Sequence, residues 1–229
     1  NLYWNDNRNS DALGLVRMVA REKPEEKRYW ELYLSLLWEE EYKKELKDAL
    51  EEFCRRWPED LERRLQLAQA YDWNGDYESE VETLRGLAAE DPSRTVYVLM
   101  EARALNNLGR HEAAARILDE LVGTYPDSTG FRQAMLETVK AIPDGDIKEI
   151  YIKKLYLSAD GKDTEAAFLM ATGYAQAGKT AEAVRILQEI CTSHYNDIGV
   201  LVRAGELCRS SQLAEPAAGY YRKALALAP

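Results

Sequence analysis

Apolar and small residues recur along this chain at spacings of three and four. In the stretch LERRLQLAQAYDWNGDYESEVETLRGLAAEDP, residues 61–92, they fall at Leu67, Ala68 and Tyr71, then at Val81, Leu84 and Leu87. Asn74-Gly75 separates the two sets. That spacing predicts an amphipathic helix, a turn and a second amphipathic helix. Pro92 cannot continue the second helix and marks its end. The scheme returns from Thr95 with Ala102, Leu105, Gly109, Ala114, Leu118, Leu121 and Pro126, and from Thr164 with Ala171, Tyr174, Gly178, Ala183, Leu187 and Ile190.

The recurrence has a fixed period. Pro24, Pro58, Pro92 and Pro126 are each 34 residues apart, and Pro229 lies 103 beyond Pro126, three periods plus one inserted residue. Gly75 and Gly109 are also 34 apart, with Gly178 a further 69 on, two periods plus one. Two independent markers therefore share one period and one insertion. The period divides the chain into a half unit over 1–26 and six units over 27–60, 61–94, 95–128, 129–163, 164–197 and 198–229. A helix pair with one apolar stripe per helix buries its core only by stacking on its neighbours, and small residues such as Ala102 and Ala171 allow close approach.

This pattern resembles the tetratricopeptide repeat (TPR) family. The resemblance rests on the small residue and aromatic of the first helix (Ala68 with Tyr71, Ala171 with Tyr174), the turn glycines, the small residue of the second helix (Ala114, Ala183, Ala217) and the closing prolines. It covers essentially the whole chain and implies an all-α, right-handed solenoid of about six and a half stacked helix-turn-helix repeats. The unit from Thr129 departs most: Pro143 and Asp144-Gly145 replace the usual turn and Asp160 replaces the proline. An altered turn is expected there. Asn1 is expected inside a helix, which suggests a fragment of a longer protein.

Composition narrows the function. The chain is 46% hydrophobic and 31% charged, the balance of a folded rather than a disordered protein. No stretch approaches the roughly 18 apolar residues of a membrane span. The net charge of −10 disfavours nucleic acid and anionic lipid, and leaves either solvated helix faces or a docking patch for a basic partner. Cys54, Cys191 and Cys208 lack metal-ligand spacing. A disulfide between Cys191 and Cys208 is conceivable, and cysteine usage does not fix the compartment.

One stretch carries a chemical motif. GYAQAGKT, residues 173–180, fits the phosphate-loop pattern G-x-x-x-x-G-K-[ST] at every fixed position. A phosphate loop needs a buried strand before its first glycine. Here TEAAFLMATGYAQA reads as an Ala-rich helix, and Gly178 is the repeat's turn glycine, so the match is a coincidence of register and no nucleotide is expected. His111 and His194 are 83 residues apart, and no metalloprotease, hydrolase, dinucleotide or calcium-loop pattern occurs. The Glu39-Glu40-Glu41 run falls in an inter-helix turn and reads as solvated charge. The expectation is a non-enzyme without cofactor or metal.

In the resembling family the first helices of the pairs line a concave groove that holds peptides or partner proteins. Repeat register places Trp38, Gln69, Trp73, Arg103, Asn106, Asn107, Glu137, Lys140, Glu206 and Arg209 at groove positions. Trp38 and Trp73 would be apolar anchors and Arg103 to Lys140 a polar stretch. The Lys/Asn clamp for C-terminal carboxylates is missing, since Glu31, Ser35, Gln66 and Gln69 stand at the corresponding places. Tyr3-Trp4-Asn5 and Tyr71-Asp72-Trp73-Asn74-Gly75-Asp76 are similar to the TPR region of Pel-type bacterial exopolysaccharide export proteins. That resemblance implies a periplasmic scaffold recruiting polysaccharide-modifying enzymes; without it a cytoplasmic scaffold is expected. Alternatives are the substrate-recruiting arm of an enzyme whose catalytic domain lies elsewhere, and direct glycan binding along Trp38 and Trp73.

Overall fold

The computed structural model describes residues 6–39, 42–158 and 163–228. The helix expected at Asn1, the element Tyr3-Trp4-Asn5, the glutamates Glu40 and Glu41, and Asp160 lie outside these residues. Among the described residues there are thirteen helices and no strand: α1 (Asp6–Glu22), α2 (Lys27–Glu39), α3 (Lys43–Arg56), α4 (Leu61–Asn74), α5 (Tyr77–Glu90), α6 (Thr95–Asn107), α7 (His111–Thr124), α8 (Thr129–Ala141), α9 (Asp146–Ser158), α10 (Thr164–Gln176), α11 (Thr180–Ser193), α12 (Ile198–Ser210) and α13 (Ala214–Leu227). Within residues 1–108 and within 109–229, helices adjacent in sequence pack together, as expected of an all-α solenoid of stacked helix pairs. The first helices of the pairs begin at Lys27, Leu61, Thr95, Thr129, Thr164 and Ile198, the residues where the period starts its units.

Local chemistry sets these boundaries. Asp60, Ser128, Asp163 and Asp197 each accept a hydrogen bond from the backbone N–H three residues on, capping α4, α8, α10 and α12. Gly75, Gly109 and Gly178 adopt φ of +72°, +72° and +74°, the left-handed turn that a side chain resists. Gln212 makes the corresponding turn at φ 61° before α13. The turn after α8 has no left-handed residue: Ile142 is extended at φ −65°, ψ 134°, and the chain runs through Pro143-Asp144-Gly145. The altered turn expected from these residues is present.

The chain divides into two compact units, residues 1–108 and 109–229. In the first, Trp30, Leu34, Leu37, Leu50 and Phe53 form a core with Leu67 and Ala70, while Ala68, Leu84, Leu87 and Tyr97 form a second cluster. Ion pairs join the starts of successive first helices: Lys27 to Asp60 at 2.9 Å and Arg94 to Glu62 at 2.6 Å. Arg17 of α1 pairs with Glu45 of α3 at 3.1 Å. First helices thus neighbour first helices, and second helices neighbour second helices. The second unit repeats the arrangement, with Arg132 to Asp163 at 2.6 Å, Arg203 to Glu165, and Tyr156 of α9 donating to Glu189 of α11 at 2.9 Å. Its core includes Leu118, Met135, Val139, Leu155, Ala171 and Leu187.

Candidate partner-binding site

In the first unit the C-terminal turns of α2, α4 and α6 lie side by side. The rings of Trp38 on α2 and Trp73 on α4 meet at 4.7 Å between centroids and 52° between planes, an aromatic contact favourable beyond the area it buries. Trp73 is 42% exposed, so its outer face is open to a partner. The Lys43 ammonium lies 5.8 Å from the centre of the Trp73 ring, within cation–π range. Asn74 donates from Nδ2 to the carbonyls of Ala70 at 2.7 Å and Lys43 at 3.3 Å, fixing the end of α4 against the start of α3. Gln69 is half-buried in the same row.

Arg103 on α6 is not a free groove cation. Its Nη2 lies 3.0 Å from an Asp72 carboxylate oxygen on α4 and 3.8 Å from Oε1 of Glu80 on α5. The guanidinium itself is 55% exposed. Glu80 is fully buried, and neither of its carboxylate oxygens receives a hydrogen bond. Burial pushes the Glu80 carboxyl up to about 7; the Asp72 charge pushes in the same direction and the Arg103 charge opposes both. Asn106 is half-buried and Asn107 exposed on α6.

The polar positions of the second unit behave differently. Glu137 accepts from Lys140 at 3.1 Å and from Gln133 at 2.8 Å, an exposed network along α8. Glu206 and Arg209 are exposed on α12. The sequence reading missed Asp72, Glu80 and Lys43. The missed signal at Glu80 is its register: it stands 34 residues before Ala114 and 103 before Ala183, where three of the later repeats place a buried alanine and the first places the buried Leu46.

The phosphate-loop pattern is accounted for by the repeat. Gly173 lies within α10, Gly178 is a left-handed turn residue, and Lys179 sits 5.7 Å from the ring centre of its neighbour Tyr174. The three cysteines are free thiols; burial raises Cys54 to about 12 and Cys191 to about 11 and also lifts Cys208, so all three stay protonated at neutral pH. Among the described residues no group of three metal-ligating side chains comes together, and no helix is long and apolar enough to cross a membrane.

A tetratricopeptide repeat family model matches residues 98–128 and 165–194. Among solved structures, a tetratricopeptide repeat protein from Parabacteroides merdae is 16% identical over 96% of this chain and 87% of its own, with a TM-score of 0.51. A structure of Naa15/Naa10 bound to HypK-THB is 15% identical, with a TM-score of 0.63, over 95% of this chain but 35% of that one. MamA protein is 14% identical over 73% of this chain and 91% of its own, with a TM-score of 0.50. No curated protein matches the sequence significantly. Two stretches of the chain match the tetratricopeptide repeat model within an all-α solenoid; at these identities the structural likeness speaks for the fold.

Proposed function

We propose that the chain is a non-catalytic scaffold that holds a peptide segment of another protein against the row formed by α2, α4 and α6. The observation that carries this reading is the Trp38–Trp73 pair, an aromatic anchor with one open face beside half-exposed polar groups. Aromatic anchors rimmed by polar side chains are the usual energetic centres of protein interfaces. The tetratricopeptide repeats support it, since stacked helix pairs present extended binding surfaces. So does the Naa15/Naa10 structure, determined with HypK-THB bound.

Selection of a displayed random-peptide library on the purified chain tests the proposal, followed by hydrogen exchange of the complex. The expected result is a selected peptide that slows exchange in the C-terminal turns of α2, α4 and α6. Protection confined to α1, α3 and α5, or no enrichment at all, would overturn it.

Assembly of a bacterial exopolysaccharide export complex is the finer reading. It rests on the resemblance of Tyr3-Trp4-Asn5 and Tyr71-Asp72-Trp73-Asn74-Gly75-Asp76, with the degenerate repeats and the acidic balance. Recruitment of a polysaccharide-modifying enzyme to this row in a periplasmic setting is its specific expectation, tested by co-purification from the parent cells.

A further inference from the structure

A glutamate buried at a position where three sister repeats bury alanine calls for an explanation, because the substitution is costly. Ala114, Ala183 and Ala217 are all buried at this point of the second helix. Removing a carboxylate from water without hydrogen bonds costs several kcal/mol (on the order of a well-packed core residue's whole contribution). Violations of local pattern of this kind concentrate at functional sites. Asp72 from α4 and Arg103 from α6 are the charged groups that face Glu80. They leave two carboxylates sharing one guanidinium, and that guanidinium is more than half in solvent.

We propose that Asp72 and Glu80 form a receptor for a basic side chain, an arginine or lysine, of the peptide held in this groove, with Arg103 as its internal surrogate. The inference rests on the groove reading above and adds the chemistry of its partner. Three observations support it. The two carboxylates converge on one guanidinium nitrogen, at 3.0 and 3.8 Å, so a side chain of that chemistry already fits there. Exposed ion pairs such as Arg103–Asp72 contribute little and exchange readily, so Arg103 can yield its place. The surrounding unit is strongly acidic: residues 1–108 carry 16 Lys and Arg against 24 Asp and Glu, which draws a basic segment toward it and sets its orientation. Beside the receptor, the open face of Trp73 offers a surface for the apolar part of the same segment.

An incoming cation that reaches Glu80 favours its ionised form. Binding near neutral pH therefore releases a fraction of a proton, which a merely structural glutamate would not do.

The test uses four synthetic dodecapeptide pools with Arg, Lys, Gln or Glu fixed at the centre, titrated calorimetrically into the full chain in buffers of different ionisation enthalpy. The Arg and Lys pools are expected to bind at least tenfold more tightly than the Gln pool, and the Glu pool more weakly still. Binding is expected to release protons at pH 7. Asp72→Asn and Glu80→Gln are each expected to lose the preference for Arg over Gln, while Arg103→Ala, which vacates the receptor, tightens Arg-pool binding several-fold. Circular dichroism confirms that each variant is folded. Equal binding of the Arg and Gln pools, with binding still lost in Trp73→Ala, would overturn the receptor and leave the groove standing. Failure of every pool to bind would overturn both.

Discussion

Replacing Glu80 by glutamine removes the one carboxyl that the fold buries without a hydrogen bond among the described residues, and its effect on stability can be worked out in sign and size. In the unfolded chain this carboxyl titrates near its ordinary value of 4.5; in the folded chain it titrates at about 7. The folded state therefore binds more protons than the unfolded state across that interval, and stability falls as pH rises through it. Below pH 4.5 both states are protonated and the penalty is absent. Above pH 7 it has its full size, about 3 kcal/mol at roughly 1.4 kcal/mol per tenfold change in proton affinity. That is a large share of the roughly 5–15 kcal/mol that stabilises a typical domain. Glu80→Gln keeps the volume and stays neutral, so it should gain about 2 kcal/mol or more at pH 8 and nothing at pH 4. Glu80→Ala should gain less at pH 8 and lose about 1 kcal/mol at pH 4, because it leaves part of the side chain's volume unfilled. Urea unfolding followed by tryptophan fluorescence is the assay. All five tryptophans (Trp4, Trp30, Trp38, Trp57 and Trp73) lie within residues 1–108, so the signal reports the unit that contains Glu80. Parallel stability curves for the native protein and Glu80→Gln from pH 4 to pH 8 would refute the reasoning.

Two further substitutions test the repeat architecture. Gly173 lies in the helical stretch of α10 with no atom within 4 Å of an added Cβ, whereas Gly178 holds φ +74°. Gly173→Ala should therefore stabilise by about 0.5–1 kcal/mol and Gly178→Ala destabilise by about 1 kcal/mol or more. Equilibrium denaturation followed by circular dichroism measures both, and effects of the same sign would contradict the assignment of GYAQAGKT to helix and turn. At Gly205 an added Cβ would stand 2.7 Å from the Tyr221 ring across the α12–α13 contact. Gly205→Ala should cost about 1–3 kcal/mol despite alanine's better helix propensity, and a thermal melt that shows stabilisation would mean that the helices do not approach this closely.

How much of this was legible in the sequence differs from feature to feature. Helix starts at Leu61 or Thr164 follow from a period carried by two independent markers, and caps such as Asp60 and Asp163 fall where that period needs them. The unusual turn after α8 was legible because Pro143 and Asp144-Gly145 replace a glycine that must be left-handed elsewhere. That Trp38 and Trp73 stand at matching places on successive first helices follows from register, but their contact does not: it depends on how far one first helix is rotated against the next. Arg103 read as an available cation because the sequence does not show that Asp72, 31 residues earlier, lies across from it. Glu80 was missed for another reason. An apolar-stripe reading passes over a polar residue between apolar ones, and only comparison with Ala114 and Ala183 shows that it occupies a buried place.

The most direct test of the central claim is photo-crosslinking in the parent cells. A photoreactive residue is placed at Gln69 in the α2–α4–α6 row and, as a control, at the exposed Glu82 on α5. The account predicts an adduct from Gln69 whose captured peptide, mapped by mass spectrometry, is a short segment of another protein. That adduct should disappear with Trp73→Ala and have no counterpart from Glu82. Crosslinks from Glu82 with none from Gln69 would contradict it and move the binding surface to the second helices.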